Sequence, residues 1–529
     1  MSLLHERVHA AFDAAMAVVT ADPSLTAVHR MLAAHRDRYR QKMSVALVGR
    51  VSSGKSTLAN ALLGGDYAPT GISELTYNVS WLRHGPVPDV TVHFSDGRSP
   101  EQRGGLSDLH ALAALAPGNP AMRDYLAAIS YLEVTDPNPR LEPFDLIDTP
   151  GLDAASGDAQ ARKAMEVLGR TPSGVQEQTV RFASRADALV AVFPKAASAL
   201  DAQLAADFTS AGIGVDSPVT AVGVLTKIET DWHWERRPDP MEEGRRRAKG
   251  LLTQAGLRNL LFEIRPLAGK VAAAAGVLTD EDFEDLAAFN AMGDKELGTA
   301  LKAGHIFPKV PYPELPLPPE RRQALLVMLS GYGFFEACRQ IRTGKAASPE
   351  ELRAHLADIS GLEDLRRLLI DHFAQRADVI KLRLAIDDVA RLSARLGSGP
   401  GTTGYGSGAT FGPRELDQVD QAIALVTDLE QELAFRRLAA LRDYWQGGLT
   451  FSAQEGEELQ RISGERGPRL TDRLGVPEAT PLSELTMIAA NRHDHWSRAV
   501  QDPAYRASRA ACDVLLSSYD EIAVEIENR

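Results

Sequence analysis

A glycine-rich loop near the start of the sequence constrains the fold more than any other feature. Residues 49–56 read GRVSSGKS, directly after the apolar segment VALV and directly before TLANALLG. Glycines let a backbone wrap around phosphate groups. A strand before the loop and a helix after it aim backbone N–H groups and the helix N-terminus at negative charge. This GxxxxGK[ST] pattern therefore predicts a P-loop, and with it an α/β nucleotide-binding domain built on a mainly parallel sheet.

The residue types of the loop predict how it holds a nucleotide. Lys55 is expected to neutralise the β- and γ-phosphates, and Ser56 is expected to ligate Mg²⁺. The remaining predicted phosphate contacts come from the loop backbone and the start of the helix: Gly49, Ser52, Ser53, Gly54 and Thr57.

Two further motifs follow predicted strands. Asp148 and Gly151 lie in DTPG after FDLI; the aspartate would hold Mg²⁺ through water and the glycine N–H would sense the γ-phosphate. The second motif is Thr226-Lys227-Ile228-Glu229, which begins at the last residue of the predicted strand VTAVGVLT. A [NT]KxD motif at this position would read guanine through its carboxylate. Glu229 is one methylene longer than the usual aspartate, and Asp231 is the alternative reader. A surface loop without base contact is the remaining interpretation.

Composition excludes several classes of protein. The chain has 529 residues, 44% of them hydrophobic, so it can bury a large core. With 58 Lys+Arg against 71 Asp+Glu, its formal net charge is −13, and no nucleic-acid partner is expected. Cys338 and Cys512 are too few for a disulfide framework. No apolar stretch reaches the roughly 18 to 20 residues of a spanning helix, and acidic residues come too early for a signal peptide, so we expect a cytoplasmic protein.

Four segments together resemble the GTPase motifs of the dynamin superfamily, particularly the bacterial dynamin-like proteins found in pairs in actinobacteria. They are GRVSSGKSTLANALLG, APTGISELTYNVSWLRHG, FDLIDTPGLD and VLTKIE. IRPLAGKVAAAA is similar to the PVSG-type element of the family, and ISGLEDLRRLLIDHFAQRADVIKLRLAIDDV is similar to the start of its helical stalk. The resemblance is specific in residues 45–275 and loose elsewhere. It implies an enzyme that hydrolyses GTP to GDP and phosphate with Mg²⁺.

The resemblance also assigns roles by position. Thr76 corresponds to the switch I threonine, whose hydroxyl would ligate Mg²⁺ and whose backbone would place the attacking water; Thr70 and Ser73 are the rivals. Ser52 falls where the family stabilises a monovalent cation or developing charge between the phosphates. The implied catalytic residues are thus Lys55, Ser52 and Thr76, and the implied metal-binding residues are Ser56, Thr76 and, through water, Asp148.

One position departs from the family pattern. Val51 stands where eukaryotic dynamins carry glutamine, and a valine side chain cannot place a hydrogen-bond donor at the transition state. Arg50 either supplies charge in cis or across a dimer, or is a solvated loop arginine. No arginine finger is therefore assigned.

The predicted organisation is a GTPase domain inserted into helical flanks. Helical periodicity at both ends of the chain suggests that the N-terminal helices pair with the last eighty residues, and that two helices of about 30 residues form a stalk hairpin. In the terms used for the family, the predicted parts are the N-terminal neck helices 1–41, the GTPase domain 42–306, a proline-rich connector 307–319, neck helices 320–360, a stalk hairpin 361–445 with a glycine-rich tip 397–413, and C-terminal neck or bundle helices 446–529.

The leading functional hypothesis is a dynamin-like GTPase that couples nucleotide-dependent dimerisation to stalk movement in membrane remodelling or maintenance. Its partners would be a second copy or another dynamin-like protein, with a peripheral contact at the inner face of the plasma membrane. A GTP-dependent switch or scaffold without lipid contact is the alternative. A ribosome-assembly GTPase would need a basic RNA-facing patch, which the charge pattern does not provide.

Two features leave alternatives open. The glycine-rich tip, with Tyr405 and Phe411 among its few apolar residues, is either a membrane-inserting loop or a plain connector. Trp232 and Trp234, beside the base-reading motif, pack over the nucleotide, lie at a dimer contact, or anchor their loop.

Overall fold

The computed structural model describes residues 3–20, 22–68, 78–105, 120–151, 186–196, 220–234, 239–253, 257, 260–302, 306–308, 315–396, 412–445 and 447–529. The chain divides into two compact units. The first consists of Met1–Met43, Ile213–Thr220 and Leu369–Arg529, and the second of Ser44–Gly212 and Ala221–Leu368. The second unit is therefore inserted in the sequence of the first.

Helices dominate the first unit. In the second unit, helices precede and follow the strands along the chain. In chain order, the α-helices of the described residues are Leu3–Thr20 (α1), Thr26–Arg40 (α2), Lys55–Leu63 (α3), Pro120–Ala128 (α4), Pro240–Leu252 (α5), Gly269–Val277 (α6), Asp280–Ala287 (α7), Asp294–Lys302 (α8), Pro319–Arg342 (α9), Pro349–Ser360 (α10), Leu362–Leu368 (α11), Ala377–Leu396 (α12), Pro413–Thr427 (α13), Leu433–Trp445 (α14), Ala453–Ile462 (α15), Leu470–Leu474 (α16), Leu482–Ala499 (α17) and Arg509–Glu527 (α18). None of these described helices is both long and apolar enough to cross a membrane.

One sheet forms the centre of the second unit. Its described strands are Ser44–Val48 (β1), Val79–His84 (β2), Asp89–Phe94 (β3), Glu101–Arg103 (β4), Ile129–Asp136 (β5), Asp145–Asp148 (β6), Ala188–Pro194 (β7), Ala221–Thr226 (β8) and Ile264–Pro266 (β9). They lie in the order β4-β3-β5-β2-β6-β1-β7-β8-β9. Every neighbouring pair from β6 to β9 is parallel, whereas β2 pairs with β6 antiparallel.

The central strands are apolar on both faces. All residues of β1 and β8 are buried, as are the first six of β7. Continuous burial is what a parallel sheet covered on both faces requires, and it explains why these segments read as uninterrupted apolar runs rather than alternating ones. The mainly parallel α/β fold flanked by helices, expected from the sequence, is confirmed.

The N-terminal helices belong to a core of the first unit that differs from the predicted one. Val8, Phe12 and Val19 of α1 are fully buried and share a core with Val419 and Val426 of α13. Helices α14 to α18 build a second core around Trp496. The predicted pairing of the N-terminal helices with the last eighty residues is therefore wrong, because the C-terminal helices bury their apolar faces mainly against one another.

The described parts of the predicted pair of 30-residue helices are also shorter than expected. Helix α12 has 20 residues and α13 has 15. Helix α12 is preceded by a short π-helix, Leu369–Phe373, and by a 3-10 turn, Ala374–Arg376. Helix α13 is followed by a 3-10 turn, Asp428–Gln431. The tip at 397–411 and residues 309–314 of the proline-rich connector lie outside the described residues.

Candidate nucleotide site

Five segments that follow parallel strands meet at one edge of the sheet of the second unit. The P-loop follows β1, DTPG begins at the last residue of β6, Lys195 follows β7, the TKIE segment begins at the end of β8, and residues 267–270 follow β9. The carboxyl ends of parallel strands are where open α/β sheets bind their ligands. The structure thus brings the three predicted motifs to one place.

The P-loop backbone is held in conformations that suit anion binding. Gly54 has φ +102°, which an L-residue rarely adopts, and α3 begins at the next residue. Ser52, which is not a glycine, also has positive φ, +58°. Residues in such conformations cost roughly 1–3 kcal/mol and persist where neighbours hold them, commonly at ligand-binding loops. A constrained loop therefore leads directly into the start of α3, and a helix N-terminus offers backbone N–H groups to an anion.

Lys55 lies across this loop. Its Nζ donates to the carbonyl oxygens of Gly49, at 3.0 Å, and Arg50, at 2.9 Å. The residue is only 6% exposed, and burial lowers the pKa of its ammonium to about 8, with the charge of Asp148 opposing that shift. A phosphate would supply the negative charge that the buried ammonium lacks.

Asp148 is the group whose surroundings fit a metal ion best. It is 1% exposed, and burial raises the pKa of its carboxyl to about 6, against the opposing effects of Lys55 and Ser56. The Ser56 hydroxyl lies 3.5 Å from Oδ2, while Oδ1 has no hydrogen-bond partner among the described residues. A hydroxyl beside a carboxylate oxygen with unused lone pairs is a donor set that suits Mg²⁺ and its waters. The residues present therefore fit Mg²⁺ held by Ser56 and, through water, by Asp148.

The DTPG turn is fixed against β1 and the P-loop. The buried Thr149 hydroxyl donates to the carbonyl oxygen of Leu47 at 2.7 Å. A Cβ added to Gly151 would lie 2.7 Å from Cα of Val51, a distance that real Cβ atoms do not show. Glycine is therefore required at position 151, where the turn approaches the loop that would hold the phosphates.

The TKIE segment is tied to the P-loop through Thr226. Its Oγ1 lies 2.5 Å from the carbonyl oxygen of Ser53 and 3.1 Å from that of Phe193. Lys227 has a left-handed backbone with φ +61° and directly precedes the 3-10 turn Ile228–Asp231. These contacts join the phosphate side and the predicted base side of the site.

Glu229 is buried, 3% exposed, beside the start of α6. Its Oε1 accepts from the backbone N–H of Lys270 at 3.2 Å, and its Oε2 has no hydrogen-bond partner in the described part of the chain. Burial raises the pKa of this carboxyl, while backbone N–H groups of Glu229, Lys270 and Gly269 act in the opposite direction. Oε2 thus keeps its acceptor capacity.

Asp231, the alternative base reader, has both oxygens engaged. Oδ1 lies 2.7 Å from Nζ of Lys195, and Oδ2 lies 2.6 Å from Nη1 of Arg247. Neither Lys195 nor Arg247 was expected from the sequence. The position of Lys195 directly after an apolar strand is the signal that could have indicated it, because that edge of the sheet holds the other motifs.

The remaining predicted residues are placed as follows. Thr57 lies in α3, with its methyl group 3.6 Å from the position that a Cβ on Gly269 would occupy. The ring centroids of Trp232 and Trp234 lie 5.2 and 5.3 Å from that of Phe335 in α9. This packing agrees with the interpretation that the two tryptophans anchor their loop. Thr76 and its rivals Thr70 and Ser73 fall within 69–77, outside the described residues.

Comparisons with known proteins agree with this site. Residues 45–228 match the model of the dynamin family. Isoniazid-induced protein IniC of Mycobacterium tuberculosis (strain ATCC 25618 / H37Rv) is 28% identical over 495 residues, which cover 90% of this chain and 89% of that protein. Dynamin-like protein 2 of Campylobacter jejuni is 32% identical over 118 residues, 22% of this chain and 18% of that protein.

Two solved structures of an oligomerised bacterial dynamin pair also align with the chain. They cover 98% of it and 90% and 87% of their own chains, with TM-scores of 0.33 and identities of 13% and 12%.

The sheet order and the three motifs at its carboxyl edge define a P-loop GTPase domain of the dynamin class. Residues 45–228 thus carry a domain of the dynamin family, and the chain is similar to bacterial dynamin-like proteins. A GTPase domain of this family binds GTP and GDP, usually with Mg²⁺.

Proposed function

We propose that this protein hydrolyses GTP to GDP and phosphate and couples nucleotide-dependent association of its GTPase domains to movement of its helices on a membrane. The single observation that carries the hydrolytic part is the buried Asp148, with an unused acceptor oxygen beside the Ser56 hydroxyl. That arrangement costs free energy unless a cation or its waters occupy it during function.

The side chains around the phosphates would each have one task. Lys55 would exchange its bonds to the Gly49 and Arg50 carbonyls for bonds to phosphate oxygens, which keeps the ammonium charged in a buried site. Mg²⁺, when bound by Ser56, would neutralise phosphate charge. Gly151 would present its N–H to the γ-phosphate, and Thr76 would place the attacking water. Ser52 would hold a monovalent cation or developing charge between the phosphates.

Glu229 is proposed to read the base. Its Oε2, which has no hydrogen-bond partner among the described residues, would accept from N1–H or the 2-amino group of guanine, whereas adenine presents no donor at N1. Lys227 would lie along the base, because its backbone leads directly into the turn that carries Glu229.

The decisive experiment measures GTP turnover per molecule across a hundredfold range of protein concentration, with and without anionic liposomes. Lys55→Ala is the inactive reference, and Lys249→Ala, an exposed lysine of α5, is the matched control. Turnover that rises with concentration and again with lipid supports assembly on membranes. Slow turnover that is flat in both contradicts the coupling and favours the switch or scaffold hypothesis. Absence of any turnover above Lys55→Ala contradicts hydrolysis itself.

A further inference from the structure

Asp231 joins three separate elements beside the proposed base site. It is the last residue of the 3-10 turn that carries Glu229. One oxygen pairs with Lys195, at the end of β7, and the other with Arg247 of α5. Arg247 in turn pairs with Glu243 one helical turn earlier, at 3.1 Å. The turn is thereby held from both sides by charge-assisted hydrogen bonds, which are stronger and more directional than neutral ones.

The backbone around this group needs such support. Lys195 and Lys227 both have left-handed conformations, with φ +59° and +61°. They occupy equivalent places at the carboxyl ends of adjacent parallel strands, and the N–H of Lys195 donates to the carbonyl oxygen of Thr226 at 2.9 Å. Left-handed conformations in residues other than glycine are unfavourable, and they persist where the surroundings hold them. Asp231 contacts Lys195 directly, and it ends the turn that Lys227 precedes.

We propose that Asp231 is a positioning residue for base recognition: its pairs with Lys195 and Arg247 hold the turn in which Glu229 presents Oε2 to guanine. This inference rests on the proposed function, in which Glu229 is the base reader. In this inference Asp231 does not read the base, because both of its oxygens already accept hydrogen bonds, from Lys195 and from Arg247.

The solvent exposure of these ion-paired side chains distinguishes a positioning role of Asp231 from a role in the stability of the whole protein. The side chains of Lys195, Asp231 and Arg247 are 45%, 32% and 35% exposed. Ion pairs this accessible to water contribute little to global stability, since solvent screens them. Loss of Asp231 should therefore leave the protein folded, weaken GTP binding by about tenfold and reduce discrimination of GTP from ATP, because only the base side of the site loses order.

The test exchanges guanine for xanthine, whose 2-oxo group accepts where guanine donates. Glu229→Gln places an amide donor at the base and should gain affinity for XTP while losing affinity for GTP. Asp231→Asn should lose GTP affinity and gain none for XTP, with a melting temperature within about 2 °C of the wild type. Lys195→Met and Arg247→Met should each reproduce part of the loss. Arg246→Met, which removes a neighbouring arginine paired only with Glu243 in the described contacts, is the matched control.

Each outcome decides one question. An XTP gain in Asp231→Asn would show that Asp231 reads the base, and unchanged GTP affinity in that variant would show that it does not position the turn; either result overturns the inference. Failure of Glu229→Gln to change base preference would instead refute the proposed reader. If Asp231→Asn fails to fold, Lys195→Met and Arg247→Met carry the test, and GTP affinity equal to that of Arg246→Met in both would overturn the inference.

Discussion

Replacing Asp148 with asparagine should stabilise the metal-free protein while abolishing Mg²⁺-dependent nucleotide binding. The carboxyl is 1% exposed, and burial raises its pKa from 3.8 to about 6. A folded-state pKa above the unfolded one means that the folded protein binds more protons through this range. The free energy of unfolding therefore falls as pH rises from about 4 to 6.

The size of the effect follows from the same shift. One pKa unit corresponds to 1.36 kcal/mol, so the ionised carboxylate destabilises the folded protein by roughly 3 kcal/mol near pH 7.5 and by about half of that near pH 5. Because the value of about 6 already includes the favourable charge of Lys55, loss of that attraction needs no separate correction. Asp148→Asn mimics the protonated carboxyl, and it should recover most of this free energy near neutral pH.

A urea titration in EDTA without nucleotide, followed at both pH values, measures the change. Asp145→Asn is a matched control on the same strand, because Asp145 is also buried but accepts from Arg83 Nε at 3.0 Å and from Trp81 Nε1 at 3.3 Å. We expect Asp145→Asn to lower the urea midpoint and Asp148→Asn to raise it. A fall for Asp148→Asn near pH 7.5 would show that the folded protein stabilises this carboxylate, which refutes the reasoning.

Three further predictions concern separate parts of the chain. Arg376→Met should destabilise the first unit by about 3–5 kcal/mol in urea titrations, because it breaks a buried pair with Glu465, and should leave GTP affinity unchanged. Although burial acts to raise the pKa of Glu465, Arg376 is the main cause that holds it below its usual value; this stabilisation is therefore complete above about pH 4.5 and is lost as the pH falls further. Gly151→Ala should weaken GTP binding at least tenfold in equilibrium titrations, since its methyl group would overlap Val51; unchanged binding would refute the close approach. Trp232→Phe should keep GTP affinity within about twofold in equilibrium titrations, because Trp232 packs against Phe335 and the phenyl ring keeps an aromatic contact there; a larger loss would contradict the interpretation that this side chain only anchors its loop.

The parts that could be predicted from the sequence are those whose signals are local. The segment VALV, residues 45–48, is a continuous apolar run before a glycine-rich loop, and the observed β1, Ser44–Val48, contains it. Asp148 and Thr226 could be singled out because each ends an apolar strand, and strand order at a parallel edge brings such ends together. Their chemistry follows from residue type and from position on the strand.

The parts that escaped prediction depend on contacts between distant segments. An apolar stripe such as Val8, Phe12 and Val19 shows that α1 is buried, but not that its partner is α13. The short π-helix before α12 has no local sequence signal either. His372 within it is fully buried and bonded to Glu465, which lies 93 positions along the chain. Periodicity describes a face and cannot identify what covers that face.

The glutamate in the proposed base-reading motif shows why residue type alone is ambiguous at a site. From the sequence, the added methylene of Glu229 could be taken to weaken the contact with guanine. In the structure, that length accompanies a hydrogen bond from the N–H of Lys270 in the first turn of α6, where the helix dipole favours negative charge. The same helix end opposes the effect of burial on the carboxyl pKa. Glutamate and α6 therefore act together, with one oxygen fixed to the helix and the other kept as an acceptor.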